Sequence, residues 1–335
     1  MPDDFLHLPA SEQSEILTAI APKLGMAPVI LEKDVWVCWT LEHLFTMPGR
    51  LPMAFKGGTA LSKVYGVIER FSEDIDITLD YREFAGEVQE GQSRSSITRL
   101  SNQLKEFVLK HADQVVEPHF QKLLKEQFPA QATRVTLSEN GEEVRIHYPS
   151  VFEEQAGRYM AANVLIEFGG RNITEPNEQH LVRPYAAQEV SDLNFPEADA
   201  TVLAIARSYW EKATLIHVEC SRQERRPSAE RLSRHWYDMA RLYRHERSKH
   251  SLTERELLAD VIKHKKLFYN ASYANYDACL SGHFRLVPEQ SLLEALRKDF
   301  GQMVEAGMFY SSPSFDEIIE ELRELELAIN QMLPS

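Results

Sequence analysis

Residues Phe55 to Asp80 read FKGGTALSKVYGVIERFSEDIDITLD, and this stretch decides the fold. It holds two adjacent glycines, a helix-like segment and two aspartates one residue apart. Met53–Phe55 predicts a short strand running into Gly57 and Gly58. From Thr59 to Ile68 the apolar residues Leu61, Val64, Tyr65 and Ile68 recur at helical spacing. Asp74 to Leu79 alternates acid and apolar, the period-two pattern of a strand with one buried face. Ile75, Ile77 and Leu79 form that face, while Asp74 and Asp76 project together from the other.

Two carboxylates side by side on a strand repel one another unless a cation sits against them. Magnesium takes hard oxygen ligands and commonly joins one or two carboxylates to substrate phosphates. Glu167, in the strand-like NVLIEFGG, is the candidate third acid, because an acid without a partner in a buried strand is costly. Gly57 and Gly58 at a strand-to-helix corner let backbone N–H groups approach a phosphate, and the helix N-terminus adds partial positive charge. Thr59 offers a hydroxyl, Lys56 a cation, and Lys63, one turn along, a second cation. Together these describe a site for a nucleoside triphosphate (NTP) with Mg²⁺ or Mn²⁺.

The flanking sequence supplies the rest of an α+β protein. Residues 10–47 read as two helices, the first opening on a capping-box-like Ser11, Ser14 and Glu15 and the second running through VILEKDVWVCWTLEHLF. Residues 93–127 read as one long helix. Strands follow in TRVTLS, EEVRIHYPS and ANVLIEFGG, the first two joined by a hairpin turn at 139–142, and HLVRPY adds an edge strand. From about Ala200 the pattern is helical to the end. The expected organisation is a catalytic domain over 1–195 and a helical lobe over 196–335, with a cleft between them.

Composition sets the class. The chain has 335 residues, 43% hydrophobic and 26% charged, as expected of a soluble globular protein with a proper core. No apolar run reaches the length of a membrane span, and the acidic N-terminus lacks a signal-like pattern, which points to a cytoplasmic protein with no membrane partner. Cys38, Cys220 and Cys279 are far apart and odd in number, so reduced thiols are expected rather than disulfides or zinc. A net charge of −14 argues against wholesale wrapping of nucleic acid. Yet residues 221–250 carry nine Arg or Lys against four Asp or Glu, a place for an anionic ligand or simply a solvated helix face. Within it Arg222, Arg225, Arg226 and Arg231 read equally as an RNA-gripping cluster or an exposed loop.

KGGTALSKVY…RFSEDIDI resembles the signature of the AbiEii/AbiGii-type nucleotidyltransferases, toxins of bacterial abortive-infection and toxin–antitoxin systems in the DNA polymerase β-like superfamily. The resemblance is close over residues 55–80 and continues in order to about 245, leaving the N-terminal helices and residues beyond 250 unplaced. It implies a nucleotidyltransferase-like mixed sheet flanked by helices, followed by a mainly helical C-terminal lobe. By the same resemblance Gly57 and Gly58, with Thr59 beside them, contact phosphate, and Asp74 and Asp76 bind metal. Glu167 holds metal or deprotonates the attacking hydroxyl. Lys212 faces the triphosphate, and Asp238 is the acid of a late element with Arg234 one turn before it. Two departures stand out: fifteen residues separate Gly58 from Asp74, and Tyr237 rather than Arg precedes Asp238. Taken alone, Lys212 reads as a solvated helix lysine, and Arg234 with Asp238 as a surface pair worth a few tenths of a kcal/mol.

The implied activity is transfer of an NMP from an NTP to a hydroxyl, on a tRNA 3′ end or a protein side chain, in a toxin countered by a cognate antitoxin. A metal-dependent phosphodiesterase or nuclease using the same acids, and a non-catalytic nucleotide-binding module, are the alternatives.

Overall fold

The glycine-to-aspartate stretch builds the middle of a seven-stranded mixed sheet. The computed structural model describes residues 3–88, 91–152, 161–222, 229–311 and 313–333. Two units divide the chain: Met1–Val64 with Ser72–Val202, and Tyr65–Phe71 with Leu203–Ser335. The sequence reading places the boundary a few residues earlier and keeps Tyr65–Phe71 with the first unit.

In the first unit β1 (Asp3–Asp4), α1 (Ala10–Leu24) and α2 (Pro28–Thr46) precede β2 (Met53–Lys56), α3 (Gly57–Lys63) and β3 (Ile75–Asp80). Next come α4 (Arg82–Ala85), α5 (Arg94–His111) and α6 (Glu117–Gln127). The remaining strands are β4 (Arg134–Leu137), β5 (Glu143–His147), β6 (Asn163–Asn172), β7 (Asn177–Val182), β8 (Leu193–Asn194) and β9 (Ala198–Leu203). The large sheet runs β4-β5-β6-β3-β2-β9-β7, and β1 pairs with β8 separately. β3 is antiparallel to β2 and parallel to β6. Ile75, Ile77 and Leu79 are fully buried, as the alternation predicts, and pack in the same sheet as Val164 and Ile166 of β6. Each such side chain contributes about 1.5–3 kcal/mol of burial.

Several boundaries differ from the sequence reading, each for a local reason. Pro9 is the N-cap of α1 and no side chain caps it, so the Ser11 capping pattern is not used. A capping box forms instead at Ser314 with Glu317. The long helix over 93–127 holds, but passes through a π turn at Ala112–Val116 just before Pro118, a residue that cannot donate a helical hydrogen bond. α3 stops at Lys63 rather than continuing to Ile68; Gly66, at φ +64°, takes the left-handed conformation soon after. ADATVL is a strand, β9, where helix was expected from Ala200.

The second unit is helical: α7 (Ile205–Ser221), α8 (Arg234–Arg244), α9 (Arg255–Phe268), α10 (Gln290–Glu305) and α11 (Phe315–Met332). Trp210, Trp236, Leu242, Leu258 and Leu322 are fully buried in it. The three cysteines are free and buried. Among the described residues no single helix is long and apolar enough to cross a membrane.

Candidate active site

Strand register, which no local pattern encodes, assembles the acids. Asp76 pairs with Lys56 of β2 on one side and with Glu167 of β6 on the other. Glu167 in turn faces Glu143 of β5. Cross-strand partners share a sheet face, so Lys56, Asp76, Glu167 and Glu143 form one row across four strands. On β3 and β6 that row lies opposite the buried Ile75, Ile77, Ile166 and Phe168, and Asp76 and Glu167 are half-buried. Asp74 is also half-buried but precedes the first residue of β3, so the ladder does not set its register as expected. Farther along the strand Asp80 serves structure: Arg82 donates to it at 2.8 and 2.6 Å, and Thr174 N–H at 3.2 Å. Burial opposes its ionisation, but these bonds hold its carboxyl below the ordinary range.

The glycine corner meets this row directly. Gly57 has φ +80°, and a Cβ built there would lie 1.8 Å from Oδ2 of Asp76. The Asp76 carboxylate thus rests against the Gly57 backbone, where no side chain fits. Thr59 is buried, and its hydroxyl donates to the Asp74 carbonyl at 2.6 Å and lies 3.1 Å from Ser72 Oγ. It therefore tethers the entry to β3 to the corner helix, an internal use of the hydroxyl that the sequence reading offers to a phosphate. Lys63 is likewise committed internally. Its side chain is 3% exposed, paired with Asp34 of α2, and lies 4.0 Å from the Tyr185 ring centre. Burial, the largest single influence, would lower its pKa, but the charge and hydrogen bond of Asp34 together with Cys38 and Tyr185 outweigh it and raise the pKa.

In the second unit Asp238 is fully buried. Arg70 clamps it through Nε to Oδ1 at 2.6 Å and Nη2 to Oδ2 at 2.8 Å, and Lys212 Nζ donates to Oδ2 at 2.8 Å. Burial would raise the Asp238 pKa; the two cations drive it well below the carboxylate range. The Lys212 pKa is lowered, first by burial and then by Arg70 and Arg234, against the pull of Asp238. Lys212 and Asp238 are thus members of one ion-paired cluster, not the solvated lysine or the exposed pair that their spacing alone suggests. Arg234 is half-buried at the start of α8.

Three arginines of the basic stretch pair with acids of their own unit. Arg241 lies 3.5 Å from Glu321, Arg244 2.6 Å from Glu324, and Arg222 3.1 Å from Glu219. Arg225 and Arg226 lie outside the described residues.

Sequence reasoning missed four partners: Lys33, Asp34, Glu73 and Arg70. The signal for the first two was present, since Glu32-Lys33-Asp34 interrupts an otherwise apolar helix and all three are buried.

Among the described residues no group of three or more His, Cys, Asp or Glu is arranged to hold a metal ion. Asp76 and Glu167 in one row, with Asp74 two residues from Asp76, still offer hard oxygen donors of the kind magnesium shares with phosphates and water. The residues fit a cation completed by substrate and not one enclosed by protein.

A mixed sheet bearing an acid row against a glycine corner, followed by a helical unit, defines an α+β protein. The model of the family described as "Nucleotidyl transferase AbiEii toxin, Type IV TA system" matches residues 39–321, and the chain belongs to that family. No curated protein matches the chain. Among solved structures it is similar to MenT4, a nucleotidyltransferase toxin from Mycobacterium tuberculosis H37Rv, at 15% identity and a TM-score of 0.41, covering 95% of this chain and 99% of that one. That likeness is too distant to bear on the site.

Proposed function

We propose that the protein transfers an NMP from an NTP to a hydroxyl acceptor. The acceptor oxygen bonds to the α-phosphorus, the bond from that phosphorus to the bridging oxygen breaks, and pyrophosphate leaves. The observation that carries this reading is the Lys56–Asp76–Glu167 row with Gly57 pressed against the Asp76 carboxylate. Asp74, Asp76 and Glu167 would hold Mg²⁺ or Mn²⁺, which supplies charge stabilisation for the attacking and leaving oxygens. Glu167 would also take the proton from the acceptor hydroxyl. Gly57 and Gly58 would present backbone N–H groups to a phosphate, and Lys56 would add a positive charge. Family membership extends the proposal to Lys212, Arg234 and Asp238 as nucleotide-binding and catalytic residues, with Asp238 holding Lys212.

The acceptor is proposed to be RNA, with the tRNA 3′ end as the first candidate, and the family's toxin–antitoxin setting supports a cognate antitoxin as partner. The test incubates purified protein with each α-³²P-NTP, Mg²⁺ and total RNA, then separates RNA from protein. Label is expected in the RNA fraction with wild type and absent with Asp76→Ala, which should also lose growth arrest on expression. Label that persists in Asp76→Ala rejects the assignment, and label confined to protein rejects the RNA acceptor.

A further inference from the structure

The charged run in α2 has a use that neither the family match, which begins at residue 39, nor the acid row accounts for. Successive helical residues point about 100° apart, so Glu32, Lys33 and Asp34 reach three different places. Glu32 accepts from Ser150 Oγ and Val151 N–H, both at 2.6 Å. Lys33 pairs with Glu73 and donates to the Ala161 carbonyl at 3.2 Å. Asp34 pairs with Lys63 and accepts from Tyr185 N–H at 2.7 Å. The three residues are 2%, 4% and 8% exposed, so each is a buried charge that needs its partner.

Two of these anchors bear on the proposed site. Glu73 immediately precedes Asp74, so Lys33 fixes the backbone from which the Asp-x-Asp segment departs. Lys63 is the last residue of α3, whose first residue is Gly57. Seven helical residues span only about 10 Å, and Asp34 therefore fixes the far end of a short rigid rod whose near end touches Asp76. The two sides of the Gly57–Asp76 contact are each tied to α2 through adjacent residues. The third anchor, from Glu32, goes to Ser150–Val151 and reaches neither side.

We infer that Lys33 and Asp34 are positioning residues for the acid site, holding the entry to β3 and the corner helix in fixed relation so that Asp76 stays seated on Gly57. This rests on the proposed transfer reaction. The anchors touch neither substrate nor the reacting atoms; they act through Glu73 and Lys63.

The test compares Lys33→Met, Asp34→Asn and the double variant Lys33→Met/Glu73→Gln with Glu32→Gln as control. Steady-state transfer, thermal unfolding and amide hydrogen exchange are measured on the full chain. Lys33→Met and Asp34→Asn are expected to lower kcat by about 10- to 100-fold, with KM for NTP changed less than about twofold. Exchange over residues 72–77 should accelerate in Lys33→Met. The double variant should be no slower than Lys33→Met, because the two residues act as one unit. Glu32→Gln removes an equally buried anchor; it should lower the unfolding temperature and leave kcat within about twofold. A folded Lys33→Met protein with wild-type kcat, or with unchanged exchange over 72–77, overturns the inference. So does a Glu32→Gln loss of kcat equal to that of Lys33→Met, which would mark the whole run as general scaffolding. Failure of the transfer reading is seen separately, in Asp76→Ala, and the exchange measurement decides the positioning role even then.

Discussion

Gly57→Ala separates backbone strain from displacement of a carboxylate. At φ +80° an alanine adopts the left-handed conformation at a cost of about 1–2 kcal/mol. For a unit of this size that lowers the unfolding temperature by roughly 2–8 °C. The added Cβ would also lie 1.8 Å from Asp76 Oδ2 and 2.5 Å from its Cγ, so the carboxylate has to move by more than an ångström to restore contact distance. A misplacement of that size at a reacting centre costs on the order of 10²-fold in rate. Gly25 provides the control: it has φ +64° at the end of α1, and a Cβ there meets nothing within 4 Å. Gly25→Ala should therefore lose comparable stability and keep its activity. The assay is NTP transfer under saturating substrate, with unfolding temperatures measured on the same preparations. If Gly57→Ala retains transfer within about threefold of Gly25→Ala, the Asp76 carboxylate does not act from where it rests, and the acid-row argument fails.

Asp238→Ala leaves Arg70 and Lys212, 4% and 14% exposed, facing one another without a counter-charge. Uncompensated buried charge costs about 3–5 kcal/mol, so urea unfolding should show a loss of that order; a loss below about 1 kcal/mol would mean the cluster behaves as an exposed pair. His217 is 1% exposed, accepts from Arg285 N–H at 3.0 Å, and is pushed by burial to a pKa of about 4. It stays neutral in the folded chain while the unfolded chain takes up a proton near its ordinary value, so stability should fall as pH drops from about 6.5 towards 4. The contribution is at most about 3 kcal/mol, and the slope over that window should flatten in His217→Gln. An unchanged slope would show that His217 does not carry the effect.

The period-two alternation of IDITL was enough to assign β3, the buried face of Ile75, Ile77 and Leu79 and the side from which Asp76 projects, because that information is local; it did not show that Thr78 and Asp80, on the Asp76 side, are buried too. Pairing was not local. Whether Asp76 meets Glu167 depends on which strand lies next to β3, and the partners are 91 residues apart, a separation that no spacing rule reaches. The same limit hid the fates of the lysines. Arg70 reaches Asp238 across 168 positions, and Lys63 reaches Asp34 across 29, so a cation one turn into the corner helix read as available when it was already neutralised. The basic stretch was misleading for a related reason: a charge count over 30 residues omits the acidic face of α11, which supplies Glu321 and Glu324 to Arg241 and Arg244.

What the sequence does expose is the existence of a partner. Three consecutive charges inside VILEKDVWVCW cannot all face solvent if the helix is buried, and desolvating an ion without compensation is prohibitive. Such a run therefore predicts three opposite or hydrogen-bonding groups in the core. The structure supplies Ser150 with Val151, Glu73, and Lys63 with Tyr185. Two of those three groups belong to the segments that carry Asp76 and Gly57. In a fold stabilised only by burial, apolar residues at 33 and 34 would serve as well or better. The anchors at 33 and 34 tie down the two segments that meet at Gly57 and Asp76, and that contact is the one the proposed chemistry requires.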